Sequence, residues 1–343
     1  MPLTRIVPEL APNLLRVDGG QNLAPFNQGV GRDNLSLGLL DNYRNKVING
    51  DFAIAQRGIG PFSNSGFTVD RWKLIVGTGS STSISWQPKA DLPYGRSTYI
   101  NWARPVAGSS FSYFIQPIEG AETLAGKRCT LTFWASASVA TEMQSYIFQY
   151  FGSGGTTSAS SGTATTINSI TTVHKKFSIV VDIPSVVGKL YGSNNDDKIE
   201  VTFSRASNAP NPTATIYISR VSLVEGDVTA EADPFYARHP THEYELCQRY
   251  YQRLHAIGAN DIVMMPASSS GGTAWNEGMV YFPTLMRANP YVYSTTWELR
   301  GHHGNAPSIF AFSNRVLFRY SDPSHVRNPG AMLLGLATAD AEI

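Results

Sequence analysis

The sequence predicts an all-β protein built as an N-terminal extended arm, a β-sandwich jelly roll, a short linking helix and a small C-terminal β-domain. Three observations carry that prediction. Several segments alternate apolar and polar residues between Gly, Pro, Asn and Ser clusters, the pattern of antiparallel strands with one face on a core. Hydrophobic residues make up 42% of the 343-residue chain but charged residues only 15%, so Ser, Thr, Asn and Gly must supply the polar surface, as in sandwiches with long turns. Only one stretch of any length keeps a helical period, and it separates two strand-rich halves.

Taken in order, residues 1–46 hold Pro2, Pro8, Pro12 and Pro25 among scattered leucines without a sustained period. They predict an extended arm with a short helix from Asn34 to Tyr43, too apolar for a solvated tail and therefore expected to bury its leucines and Phe26 against something else, a neighbouring subunit being one candidate. Strands begin at residue 47. In Phe177-Ser-Ile-Val-Val-Asp-Ile183 and Ile199-Glu-Val-Thr-Phe203 every second residue is apolar, and Thr130–Ala135 and Thr215–Leu223 are bounded alike. The Gly/Ser/Thr run between Phe151 and Ile167 cannot bury a core and predicts a loop. These features place the jelly roll at 47–238.

Residues 239–254 predict the linking helix, with Pro240 at a first helical position. Leu246, Cys247, Tyr250, Tyr251 and Leu254 wrap one broad stripe, while Glu243, Gln248, Arg249 and Arg253 take the other side. Tyr250 and Tyr251 are thereby expected to be core residues that wedge the two β-domains together, and Arg249 and Arg253 to pair with neighbouring chains. In 255–343, strands are expected at Trp275–Phe282, Tyr291–Leu299, Ile309–Phe312 and Val316–Tyr320. That unit is small, so it is expected to lean on the helix or on partner chains.

Composition excludes several functions. Lys and Arg number 27 against 26 Asp and Glu, which leaves no positive excess to release counterions from nucleic acid. The longest apolar run, Ala331 to Ala337, is too short to span a bilayer, and the N-terminus has no apolar core of the secretory kind, so neither membrane insertion nor an export signal is expected. Cys129 and Cys247 are expected reduced and buried. No nucleophile elbow, phosphate loop or zinc-protease pair occurs, so no catalytic residue, cofactor or metal site is assigned. His302-His303 reads as a solvated loop pair and Asp196-Asp197 as a turn cap.

The aromatic residues point elsewhere. Sugar rings stack on aromatic faces while their hydroxyls bond polar side chains, and an aromatic-rich, weakly charged β-protein offers both. Trp86, Trp102, Tyr94 and Tyr150 are the candidate glycan contacts in the first half, and Trp275, Trp297 and Tyr320 in the second. Trp134, inside Leu131-Thr-Phe-Trp134, is expected in the core.

Several motifs also resemble a known family. Ile48-Asn-Gly-Asp-Phe52 with Gln56-Arg-Gly58, Phe67-Thr-Val-Asp-Arg-Trp72, Leu124–Ala135, Phe151-Gly-Ser-Gly-Gly155, and Val221–Gly226 with Pro234–Pro240 are similar to the family 4/9 carbohydrate-binding jelly roll that recurs in bacteriophage tail proteins. Glu245-Leu-Cys-Gln-Arg-Tyr-Tyr251, Phe282–Pro290 and Thr338–Ile343 resemble the C-terminal part of the same phage proteins. The resemblance implies a non-enzymatic virion protein of the tail-fibre or receptor-binding type, commonly homotrimeric, that binds host surface polysaccharide. It also implies that residues 1–46 attach to other virion proteins. A purely structural head, neck or tail appendage is the alternative, and a capsule depolymerase the third. Calcium-binding relatives carry aspartates where this chain has Ser219-Arg220, and a guanidinium repels a cation, so no structural calcium is expected.

Overall fold

The computed structural model describes residues 44–343 apart from 107–109, 154–160, 164, 207, 255–260, 265–266, 270–273, 295–296, 301–307, 323–330 and 335–336. It describes the backbone alone at 17–18, 22–23, 96, 161–162, 261–264, 267–269, 274–278, 294, 297–300, 320–322, 331–334 and 337. In the arm, β1 (Val17–Asp18) pairs antiparallel with β2 (Asn22–Leu23), whereas the helix expected at Asn34–Tyr43 lies outside the described residues. The chain forms two units. The first gathers residues 1–53, 59–68 and 72–238, and the second gathers 54–58, 69–71 and 239–343.

The first unit is an all-antiparallel sandwich of the jelly-roll kind. Its strands are β3 (Gly66–Phe67), β4 (Lys73–Val76), β5 (Ser83–Leu92), β6 (Gly95–Ala103), β7 (Ser112–Glu119), β8 (Arg128–Ala137), β9 (Thr141–Tyr150), β10 (Ser161–Gly162), β11 (Thr166–Ile170), β12 (Lys175–Asp182), β13 (Lys198–Arg205) and β14 (Ile216–Glu225). One sheet runs β12-β8-β14-β6-β5. The other runs β10-β9-β13-β7-β4-β3, with β11 also on β9.

Period-two alternation sends one side of each strand into the core. Leu131, Phe133 and Ala135 on β8 are fully buried, as are Ile216, Ile218 and Leu223 on β14 and Ile199, Val201 and Phe203 on β13. Rings from both sheets meet between them: Phe133 lies 4.9 Å edge-on to Phe203, and Trp102 lies 6.1 Å from Phe114. Trp72 stacks on Phe114 at 4.8 Å, and its indole N–H donates to the Asn49 carbonyl. Burying a ring of this size contributes roughly 2–3 kcal/mol.

Two arginines also enter this sandwich. Arg205 donates to the carbonyls of Trp102 (2.9 Å) and Pro212 (3.1 Å), and Arg104 to those of Arg205 (2.9 Å) and Ala206 (3.0 Å). Burial lowers the Arg205 guanidinium to about 9.

Strand β14 breaks its alternation between Ser219 and Ser222, where Arg220 takes a left-handed φ of 49°. Beside this bulge Gly50 accepts the Val221 N–H, and a Cβ on Gly50 would stand 2.1 Å from the Val221 carbonyl oxygen. Only glycine fits there.

In the second unit, α1 (Pro240–Gln248) is followed by β15 (Tyr251–Leu254), β16 (Asp261–Met264), β17 (Ala267–Ser269), β18 (Ala274–Tyr281), β19 (Tyr291–Ser294), β20 (Trp297–Arg300), β21 (Ser308–Phe312), β22 (Arg315–Asp322), β23 (Ala331–Leu334) and β24 (Ala337–Asp340). Three small sheets result, ordered β15-β24-β19, β16-β23-β20 and β17-β18-β22-β21. Leu254, Phe282, Met286, Val316, Phe318, Ala339 and Ala341 form a core in this unit.

The helix is shorter than its sequence suggests. It ends at Gln248, and Tyr251–Leu254 pair with Ala337–Asp340 as a strand. Glu243 is buried instead of facing out, and Leu246 is only half-buried. The strand expected over Tyr291–Leu299 is two, β19 and β20, in different sheets. Tyr250 and Tyr251 are buried and lie under the guanidinium groups of Arg71 (3.4 Å) and Arg57 (3.6 Å). Arg57 in turn pairs with Asp340 at 3.0 Å, and Arg71 pairs with Glu342.

Candidate functional site

The outer face of the larger sheet is built by residues one step out of phase with the core. Register places them in rows across β7, β13 and β9: Tyr113–Ser204–Gln144, Ile115–Thr202–Tyr146, Pro117–Glu200–Phe148 and Glu119–Lys198–Tyr150. Their neighbours Phe114, Gln116, Val201, Phe203 and Ile147 point inward and are buried, which fixes the orientation of the rows.

Along β9, Tyr146, Phe148 and Tyr150 therefore stand at i, i+2 and i+4 on one side. Phe148 and Tyr150 lie 4.8 Å apart, and at the other end Phe111 stacks on Tyr113 at 4.7 Å. Tyr150 and Phe111 are exposed, while Tyr113, Tyr146 and Phe148 are half-buried. Beneath the rings Thr202 and Ser204 are buried, and so is Glu200, at 7% exposure. Lys198 Nζ lies 3.2 Å from the Glu200 carboxylate and 5.3 Å from the Tyr150 ring centroid.

Burial pushes the Tyr150 hydroxyl up to about 12, and the nearby Glu200 charge, Tyr146 and a hydrogen bond to Glu200 add to the shift. Tyr146 is raised too, first by burial and then by Tyr113 and Glu200. Both phenols thus keep their protons and can donate as well as accept. The face combines ring surfaces, phenol hydroxyls and the Lys198–Glu200 pair with Glu119 opposite Lys198, the kinds of group that recognise a polyol ring.

The sequence had singled out one residue of this face, Tyr150. It had not found Tyr113, Tyr146, Phe148 or Glu200. The signal lay in β9, where 144, 146, 148 and 150 share a side, but the inward set includes Ser145 and Gln149, so no apolar side stood out. Gln149 sits inside because its amide donates to the carbonyls of Ala121 (3.0 Å) and Pro184 (3.1 Å).

The other expected contacts lie elsewhere. Trp102 is fully buried, its indole N–H directed to Thr82 Oγ1 at 3.1 Å and its ring beneath Arg205, so it offers no surface to a ligand. Its expected role is corrected: inward register opposite Ile216 made it core. Trp86 is half-buried and donates to the Phe52 carbonyl at 2.8 Å. The side chains of Trp275, Trp297 and Tyr320, and His302-His303 altogether, lie outside the described residues. Asp196 accepts from the Ser153 N–H (2.8 Å), and Asp197 from the Ala121 N–H (2.9 Å). Arg253 is exposed on β15, and the Arg249 guanidinium lies 5.9 Å from the Tyr250 ring.

Tyr94 joins a second cluster, on the outer face of the five-stranded sheet. Its ring is 4.8 Å from Trp134, which in turn stacks on His174 at 6.2 Å. Trp134 was expected in the core, but its neighbour Phe133 takes the inward position and Trp134 is half-buried on the far side. Arg220 lies 4.4 Å over Tyr94 and forms an ion pair with Asp233 at 2.7 Å. Burial raises Tyr94 to about 12 and lowers His174 to about 4.

No protein-family model matches the chain, and no curated protein matches it. Solved structures similar to it include the enzymatically active domain of tailspike protein 4 from bacteriophage CBA120, at 20% identity and TM-score 0.35 over 54% of this chain and 22% of that one. A CBM4 structure is similar at 16% identity and TM-score 0.34, over 52% of this chain and 98% of that one. A family 11 carbohydrate-binding module from Clostridium thermocellum, in complex with a β-1,3-1,4-mixed-linked tetrasaccharide, is similar at 10% identity and TM-score 0.30, over 47% of this chain and 92% of that one. The chain spans about a fifth of the tailspike structure's length.

Proposed function

We propose that this chain is a non-enzymatic bacteriophage virion protein of the tail-fibre or receptor-binding type that holds host-surface polysaccharide on the outer face of its larger sheet. The observation that carries the glycan reading is the row of Tyr146, Phe148 and Tyr150 along β9, beside Thr202, Ser204 and the Lys198–Glu200 pair. Sugar rings lie flat on such aromatics, and their hydroxyls reach the phenol hydroxyls at the edge of the row. Glu200 is held by Lys198 and Tyr150, an arrangement suited to binding. The phage assignment is supported by the sequence motifs, Glu245–Tyr251 above all. A homotrimer attached to the virion through residues 1–46 would offset weak single-site affinity by multivalency.

The test is a glycan array and a host-cell binding assay with the full chain. Binding to a host polysaccharide without release of reducing ends is the expected result; no binding to any host fraction defeats the adhesin reading, and released reducing ends defeat the non-enzymatic one.

A second reading, a structural appendage that contacts only virion proteins, is favoured by one observation. Met279, Tyr281, Phe310 and Phe312 are exposed on one side of β18, β22 and β21, where register aligns Met279–Leu317–Phe310 and Tyr281–Arg315–Phe312. Exposed apolar faces of that kind commonly meet protein. Imaging of intact particles separates the two readings, since an adhesin projects the sandwich outward.

A further inference from the structure

Strand β12 is an edge of the five-stranded sheet and pairs with β8 along its whole length without a register shift. The N–H of Ile183, next in line, donates to the Lys127 carbonyl at 2.9 Å. Backbone groups alternate in direction along an antiparallel strand, so Lys175, Phe177, Ile179 and Val181 turn theirs to β8, and Lys176, Ser178, Val180 and Asp182 turn theirs away from the sheet. Those outward N–H and C=O groups bond to no described residue. The other edges of the sandwich are blunted. Strands β3 and β10 have two residues each and β11 has five. Strand β5 is bulged between Gln87 and Ala90, where Pro88 stands, and its Ile84 and Trp86 already bond outward to Phe62 and Ile59. The core beside β12 is also unfinished. Phe177 and Ile179 point inward and are only half-buried, whereas Phe133 and Leu131, opposite them on β8, are fully buried.

We infer that a second copy of this chain completes this edge: β12 pairs antiparallel with β12 of its partner about a two-fold axis through Ile179. The strand's own sequence is complementary in that register. Facing residues on antiparallel strands share a side of the sheet, so keeping both cores on one side sets even residues against even and odd against odd. With Ile179 opposite the partner's Ile179, Lys176 falls opposite the partner's Asp182, and Asp182 opposite the partner's Lys176. Ser178 then meets the partner's Val180, and Phe177 the partner's Val181, which closes the unfinished apolar side. Every outward N–H and C=O from Lys176 to Asp182 finds a bond.

Neighbouring registers lose this match. Centring the pair on Ser178 sets Lys176 against Val180, and centring it on Val180 sets Lys176 against Pro184, which has no N–H to give. The two charged groups are free to meet. Asp182 is exposed beside Arg128, 2.9 Å away, and the Lys176 ammonium, which donates to the Glu231 carbonyl, has further N–H groups to offer. Strands β7, β9 and β13 belong to the other sheet, so the pairing leaves their aromatic face untouched. A two-fold contact cannot close a trimer; added to one, it joins the sandwiches of two trimers.

The test uses the full chain and its mass by light scattering across a dilution series. The expected result is an even number of copies at high concentration that separates on dilution. Val180→Pro removes an outward N–H and leaves the ladder to β8 whole, so it should weaken that association by about tenfold or more. Ile179→Cys sets two thiols against each other across the axis, and mild oxidation should cross-link them; Lys175→Cys, which faces the partner's Ile183, should not cross-link. The native Cys129 and Cys247 are buried and stay out of that reaction. A single copy or an odd number at every concentration overturns the inference, as does a mass indifferent to Val180→Pro. Association lost in Val180→Pro without the Ile179→Cys cross-link overturns self-pairing and gives the edge to a different strand. Where Val180→Pro folds poorly, the two cysteine variants alone decide.

Discussion

Lys198 stands between Glu200 and the exposed ring of Tyr150, 3.2 Å from the carboxylate and 5.3 Å from the ring centroid. On the same face Glu119 stands opposite Lys198 and Lys73 opposite Ile115, so the aromatic row runs beside charged groups of both signs. A ligand lying on the rings meets a donor and an acceptor at one end of the row.

Tyr150→Ala and Trp102→Ala should separate binding from folding. Loss of the exposed Tyr150 ring is expected to weaken glycan binding by about 1–2 kcal/mol, roughly five- to thirtyfold, with the urea midpoint unchanged. Trp102 touches no ligand in this account, and its removal should cost about 3–5 kcal/mol of stability through the cavity it leaves. Denaturation and titration calorimetry on the two variants check both.

The site should tolerate alkali. The Tyr150 hydroxyl is raised to about 12 from an ordinary 10, so binding should hold across the range where an ordinary tyrosine ionises. The sign for stability follows from the same shift. A raised folded value means that the contribution of Tyr150 is complete below about 10 and is lost as pH climbs toward 12. Tyr94 behaves alike. Ultraviolet titration should show these two phenols ionising later than an ordinary tyrosine; both titrating near 10 in the folded protein would contradict the raised values.

Arg220→Met should strand Asp233. Burial already raises the Asp233 carboxyl, and Arg220 is the largest influence holding it down. The pair is partly exposed, so its loss at neutral pH should cost about 1–3 kcal/mol. A folded value raised further carries its full stability below the unfolded value and loses it as pH rises, so the deficit should shrink toward acid pH. Arg220→Met with Asp233→Asn should recover most of the loss in a double-mutant cycle.

The sandwich was legible in the sequence because its strands carry their own record. Phe177, Ile179, Val181 and Ile199, Val201, Phe203 declare an inward side without help from partners. The end of the helix was not legible. Tyr250, Tyr251 and Leu254 fit a helical stripe as well as a strand, and what decides is pairing with Ala337–Asp340, far along the chain. Trp102 and Trp134 show the same limit on the two faces of one sheet. Each lies beside small or apolar residues, and only the register of β6 and β8 against β14 makes one core and the other surface. The candidate face was harder still, because it joins β7, β9 and β13 and its inward partners include polar Ser145, Gln149 and Gln116.

The most direct measurement is titration calorimetry of the bound host polysaccharide, or an oligosaccharide from it, against the wild type and Tyr146→Ala. Tyr146 lies mid-row, between Thr202 and the ring pair of Phe148 and Tyr150. The account predicts affinity lower by about tenfold or more in a variant that melts like the wild type. An unchanged affinity would place the glycan on some other surface and contradict the assignment of this face.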